Sequence, residues 1–291
     1  MPCSFVYGIL KLKKFTDITG ETQSKGVIMK FLVCVKQVVD TSKMEVDETG
    51  RLKRASGNSM LNPMDRNALE GAFALRDQEG GTVTVIAMGP PQAEMVLKEA
   101  ISMGADEAYL VTDRAFGGAD TLATSYTLGK AIQKIGPFDL IFCGQESLDS
   151  NTAQVGPELA ATLGIPDVSA AIDISFEREG YVTVTRQMGD EISEVVEMKL
   201  PGLVTCTPYL NRPRYPSIKG ILRKFDINIQ HITSSDMDVD PSRIGLTGSP
   251  TQVLKVRPIE VPKKENLKIE GKTASEAVDE LFAGLVKLKL V

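Results

Sequence analysis

An α/β fold built on a parallel sheet is what this sequence predicts, and three observations predict it. The segment 30–36, Lys-Phe-Leu-Val-Cys-Val-Lys, is continuously apolar between its terminal lysines, as a central strand buried on both faces is. From there to residue 143, strand-like and helix-like stretches alternate, the repeat of a parallel sheet covered by helices on both faces through right-handed crossovers. After residue 164 the texture changes to half-exposed alternation, with Thr183, Thr185 and Arg186 interleaved among valines, which adds an antiparallel piece.

The elements follow in order. Residues 46–51, with Asp47, Glu48 and Gly50, read as a small excursion containing a turn. Asn62-Pro63 opens a helix over 64–77, because Asn suits an N-cap and Pro the first helical position. Ala68, Leu69, Ala72 and Phe73 then share one stripe. Residues 82–88 form a strand, and Gly89-Pro90-Pro91 turns it into a helix over 92–103 with Met95, Leu97, Ala100 and Ile101 apolar. A strand follows at 107–111, Asp120 caps a helix over 121–134, and 139–143 is a further strand. It leads through a polar loop into a helix at 158–164. Strands at 168–176, 181–187 and 194–198 are separated by turns at Glu179-Gly180 and Gly189-Asp190, and 201–208 returns as a short buried strand. Residues 212–224 are basic and carry Pro213, Pro216 and Gly220. Residues 226–254 lack a strong period, 255–268 read as an extended linker around Pro258 and Pro262, and 274–288 form an amphipathic helix. The organisation is therefore an extension at 1–28 without the marks of a secretory leader, an α/β domain at 29–225, and an arm with a terminal helix at 226–291.

Composition excludes several classes of function. A net charge of −5 with no Lys/Arg cluster argues against a nucleic-acid partner, and no apolar run approaches the ~18 residues of a membrane span. Cys3, Cys34, Cys143 and Cys206 lie far apart and His231 is the sole histidine, so neither a zinc site nor a His-based catalytic triad is expected. Buried free thiols fit a reducing, cytoplasmic compartment.

The loop 144–157, Gly-Gln-Glu-Ser-Leu-Asp-Ser-Asn-Thr-Ala-Gln-Val-Gly-Pro, joins a buried strand to a helix N-terminus. Open α/β sheets bind nucleotides at such a place, because first-turn N–H groups and the helix dipole favour an anion. The loop has no Lys or Arg, so a phosphate there would be held by backbone N–H groups and by the hydroxyls of Ser147, Ser150 and Thr152. Glu146 and Asp149 disfavour a bare polyphosphate but suit an adenosine diphosphate group, whose ribose hydroxyls a carboxylate such as Asp149 accepts. The bland alternative is a polar connection with an N-cap at Asn151 or Thr152.

Read together, the motifs resemble the beta (small) subunit of electron transfer flavoproteins from residue 29 to about 255. Residues 34–41, Cys-Val-Lys-Gln-Val-Val-Asp-Thr, are close to the family's opening, and Asn62-Pro-Met-Asp65 with Ala68-Leu-Glu70 resembles its first helix start. Ala87-Met-Gly-Pro90 and Gly104-Ala-Asp106 match further turns. The loop resembles that of the NADH-using, flavin-bifurcating branch, with Ser150 and Asn151 where Gly and Asp often sit. Val184, Arg186, Glu194, Val196 and the run 201–205 resemble the family signature, which Gly189 departs from.

The resemblance implies a Rossmann-like sheet of the adenine-nucleotide alpha-hydrolase-like class and a heterodimer with a larger alpha subunit. It implies FAD at the loop, accepting hydride from NADH, or AMP held structurally in the family's simpler carriers. By position, Cys34, Asn62, Asp65, Met88 and Gly89 would line the adenine and ribose side. Asp149, Thr152, Gln154, Val155 and Gly156 would hold ribose and phosphates. Residues 214–219 resemble the loop that docks on acyl-CoA dehydrogenases or similar flavoenzymes, with Ile218 as anchor and Lys219 and Arg223 beside it; ferredoxin is a further acceptor that the partner subunit would decide. No catalytic side chain and no metal ligand is implied.

Overall fold

The computed structural model describes residues 28–39, 45–46, 52–53, 59–252, 268–269 and 273–290. The expected extension, apart from Ile28, and the expected linker, apart from Lys268, lie outside the described residues. The chain divides into two units, residues 1–45 with 53–253 and residues 46–52 with 254–291. The division thus falls after residue 253, where the sequence places it after 225.

The first unit is organised on one sheet of nine strands. In chain order they are β1 (Lys30–Cys34), β6 (Thr82–Met88), β7 (Glu107–Val111), β8 (Leu140–Gly144), β9 (Asp167–Ser175), β10 (Tyr181–Gln187), β11 (Ser193–Lys199), β12 (Gly202–Cys206) and β13 (Gln230–Ile232). The intervening numbers belong to two small ribbons, β2 (Gln37–Val39) with β5 (Ser59–Leu61), and β3 (Glu45–Val46) with β4 (Leu52–Lys53). Across the sheet the order is β11-β10-β9-β12-β8-β1-β6-β7-β13. The seven strands from β9 to β13 run parallel, and β10 and β11 extend the sheet antiparallel beyond β9.

Side-chain alternation along β1 separates two cores. Phe31, Val33 and Val35 pack on the side of α1 (Pro63–Glu79) and α2 (Glu94–Met103), with Leu69, Phe73, Leu97 and Ile101. Leu32 and Cys34 face α3 (Thr121–Ile135) and α4 (Val155–Leu163), with Tyr126, Ile132 and Leu159. Period-two alternation on a strand covered by helices on both faces produces this.

Several expectations shift. The helix expected at 92–103 begins as a 3-10 turn, Pro91–Ala93, and α2 starts at Glu94. Met95 is 42% exposed and Val96 takes its place inside. The helix expected from Glu158 begins three residues earlier, at Val155, and its N-cap is Gln154, not Asn151 or Thr152. β9, read as antiparallel, lies parallel to β12 and is antiparallel only to β10. The docking loop expected at 214–219 runs into α5 (Ile218–Asp226), and the aperiodic stretch after it supplies β13, which pairs with β7. In the second unit, α6 (Ala274–Lys287) opens on a capping box between Thr273 and Glu276. No helix among the described residues is long and apolar enough to cross a membrane.

Candidate nucleotide-binding site

The strand order places a switch point at β1. The chain leaves β1 through α1 toward β6 on one side, while β8 lies on the other. Ligands of open α/β sheets bind in the crevice at the carboxyl ends of strands at such a point. Cys34 and Cys143 are register partners in β1 and β8, so the segments after them, with Lys36 and Gly144, emerge side by side.

Asp65 ties these segments together. Its Oδ2 accepts from the Lys36 backbone N–H (2.7 Å), and its Oδ1 from the Gly144 N–H (3.1 Å) and the Asn62 side-chain amide (3.0 Å). Gly144 is required here by close approach, because a Cβ on it would collide with Asp65. Burial pushes the Asp65 carboxyl up to about 7, against the opposing pull of these three hydrogen bonds and of the Lys36 charge.

Asn62 sits at the N-cap of α1, as expected, but makes no side-chain cap. Its amide instead donates to Glu146 O (2.9 Å) and accepts from the Leu148 N–H (3.1 Å), so it fastens the loop after β8 to the start of α1. The Asn-Pro pair is thus used for loop positioning as well as for helix initiation.

The loop itself is polar and partly strained. Asn151 and Ala153 have positive φ (51° and 54°), a conformation costly for Ala and tolerated by Asn. Ser147 and Ser150 hydroxyls lie 2.6 Å apart. No described residue accepts from the N–H groups of Thr152, Ala153, Gln154, Val155 or Gly156, which lead into and begin α4. These donors are what an anion needs at a helix start.

Lys36, just beyond β1, reaches into the loop. Lys36 Nζ meets Asp149 Oδ1 at 2.7 Å and Ser147 Oγ at 3.2 Å. Partial burial pulls the Asp149 carboxyl up, but the Lys36 bond and charge outweigh it and hold it below the usual range. The loop has no cation of its own, so β1 brings one to it from 113 residues away.

The other expected residues are distributed as follows. Cys34 is buried at the end of β1 beside Cys143; that neighbour and burial together push the Cys143 thiol up, so both read as packing. Met88 ends β6 and Gly89 follows it, its N–H donating to Val111 O (3.1 Å). No hydrogen bond among the described residues joins them to the loop. Thr152 and Gln154 are exposed, Val155 is half-buried, and Gly156 is buried against Thr205. On α5, Ile218 and Lys219 are exposed, whereas the Arg223 guanidinium is engaged by Ala105 O (3.0 Å) and Asp106 O (2.9 Å). Arg186 pairs with Glu194 across β10 and β11 (2.8 Å), a plain cross-strand pair. His231, with no carboxylate near it in sequence, meets Glu94 at 2.8 Å.

Comparison with known proteins places the chain in a family. The family model described as "Electron transfer flavoprotein domain" matches residues 49–236. An electron transfer flavoprotein subunit beta of Clostridium acetobutylicum is 46% identical over 263 residues, covering 90% of this chain and 98% of that one. The caffeyl-CoA reductase-Etf complex subunit CarD of Acetobacterium woodii is 44% identical, covering 90% of this chain and all of its own length. Protein FixA of Bradyrhizobium diazoefficiens is 37% identical over 90% of this chain. With a matching family model across most of the sheet and relatives aligned nearly end to end, the chain belongs to the electron transfer flavoprotein family, as a beta subunit.

Proposed function

We propose that this beta subunit binds FAD by its adenosine diphosphate part in the cleft between β1 and β8, within a heterodimer completed by a larger alpha subunit. The observation that carries the reading is the run of N–H groups from Thr152 to Gly156 without an acceptor among the described residues, beside the Asp149 carboxylate, which is held by Lys36. The donor set fits: backbone N–H groups and the Thr152 hydroxyl suit a diphosphate, and Lys36 offsets the Asp149 charge that would otherwise repel it. Asp65 and Asn62 act as positioning residues, holding the loop to α1. A flavin held at this site would supply the capacity to accept hydride from NADH and to hand electrons on within the heterodimer. The chain's own residues bind, orient and neutralise.

Electrons leave toward a flavoenzyme of the acyl-CoA dehydrogenase type, docked at Ile218, which is 83% exposed at the start of α5. The relatives named for caffeyl-CoA and acryloyl-CoA reductases support that direction; ferredoxin is a further acceptor where the alpha subunit provides the path. On α6, Val278, Leu281 and Phe282 are exposed, and the alpha subunit is their proposed cover.

A second reading has AMP in the same cleft as a structural ligand. It is favoured by one observation: the N–H run from Thr152 to Gly156 and the Asp149 carboxylate would serve only groups that FAD and AMP share, a phosphate and ribose hydroxyls. Nucleotide content of the co-purified heterodimer with an NADH titration separates the two. Two FAD per heterodimer, one bleached by NADH, is the expected outcome. One FAD and one AMP, with no direct reduction by NADH, selects the structural reading.

A further inference from the structure

Helix α5 has its apolar side turned outward. Ile218, Ile221, Leu222 and Phe225 recur at helical spacing on one stripe and are 83%, 40%, 63% and 76% exposed. The inward side carries Gly220, buried against the Ser102 carbonyl with no room for a Cβ, and Arg223, whose guanidinium holds the carbonyls of Ala105 and Asp106. The segment before the helix is clamped to α1 by Arg214, which forks onto Glu70 (2.8 and 3.0 Å) and reaches Asp77 (2.9 Å). The stripe is therefore presented on a fixed base, and a contiguous apolar face rimmed by charge marks an interaction surface.

At its C-terminal end the stripe opens into a cavity of about 760 Å³ between α2, the end of α5 and β13. Ile227 and Ile229 contribute apolar lining, Phe225 stands at its edge, and Glu94, Lys98 and His231 supply polar lining. Glu94 is occupied by Lys98 (3.0 Å) and His231 (2.8 Å). Among the described residues Lys219 and Lys224 have no acidic partner, and the Lys224 ammonium lies 5.2 Å from the Phe225 ring centre. Helix and cavity together carry Lys98, Lys219, Arg223 and Lys224 against Glu94 and Asp226, a positive balance.

We propose that Phe225 and this cavity form a second anchor of the docking surface that begins at Ile218, and that its occupant is an apolar side chain of the partner flavoenzyme flanked by carboxylates that pair with Lys219 and Lys224. The proposal rests on the docking reading above. Two anchors about 10 Å apart along a helix fix the partner's rotation as well as its position, which one anchor does not. The charge complementarity adds speed of encounter and makes docking salt-dependent.

The test uses the full heterodimer, reduced, with a short-chain acyl-CoA dehydrogenase as acceptor. Phe225→Ala and Lys224→Glu are each expected to raise KM for the dehydrogenase about tenfold at unchanged kcat, a loss of about 1.4 kcal/mol, and Lys224→Glu to remove most of the salt dependence. Ile218→Ala is the internal control. If Ile218→Ala raises KM while Phe225→Ala and Lys224→Glu do not, the second anchor is overturned and the docking reading stands. If none of the three moves KM, or the wild type shows no saturable dependence on the dehydrogenase, the docking reading falls and takes the second anchor with it. If Phe225→Ala releases the alpha subunit, or alters self-association of the heterodimer in size-exclusion chromatography, the stripe is covered by a subunit and the proposal is overturned.

Discussion

At Asp65 the charged form has three N–H donors and almost no water, so its two needs oppose each other. Asp65→Asn replaces an acceptor oxygen by an amide nitrogen that faces those donors, and is expected to lower stability by about 1–3 kcal/mol in urea unfolding. The pH dependence follows from the raised value of about 7. A carboxyl whose folded value lies above its ordinary 3.8 favours the protonated fold, so its contribution is present below about pH 4 and is lost as pH rises through about 7. The stability gap between wild type and Asp65→Asn should therefore narrow from pH 5 to pH 8; a widening gap would sink this account. Asn62 and Asp65 are legible in sequence because Asn-Pro-x-Asp is a local helix-start pattern. The Lys36–Asp149 pair is not, since nothing local links residues 113 positions apart.

Elements are held by a few contacts each, and α5 is the clearest case. Ser217 caps it by accepting from the Gly220 N–H (3.0 Å), and Ser217→Ala should cost about 1 kcal/mol. Arg214→Ala should cost more, about 1.5–3 kcal/mol, because it removes a bidentate, partly buried pair and leaves Glu70 unpaired. Both are read from thermal unfolding, and the reverse ranking would mean that the clamp on α1 does not stabilise the element. Strands β1, β6, β7, β8 and β12 and helices α1 and α3 are legible because their apolar runs and stripes are clean. Helix α5 carries both usual signals, a cap at Ser217 and apolar residues at 218, 221, 222 and 225, but Pro213 and Pro216 before it and the resemblance of 214–219 to a docking loop mask them in the sequence. Strand β13 has three residues, too few for any period, and owes its place to β7.

For the whole molecule, alternation of elements predicts a parallel sheet but not the order of its strands. That order depends on pairings between residues such as Leu32 and Ile141, and it alone creates the cleft in which the site lies. The same order leaves the sheet with two flanks that no described strand covers. One is β13, which at three residues offers little to pair with; the other is β11, seven residues long with Val195 67% exposed. On β11 the exposed Glu194 and Glu197 are held across the ladder by Arg186 and Arg178. Such surface pairs contribute only about 0–1 kcal/mol each to stability. Their larger effect is on what the strand does to its neighbours in solution: buried charge at a strand-to-strand junction is expensive, so they keep β11 from recruiting another molecule's strand. Replacing both glutamates by valine should leave the unfolding midpoint nearly unchanged and yet produce concentration-dependent light scattering, and clear solutions at high concentration would refute that guarding role.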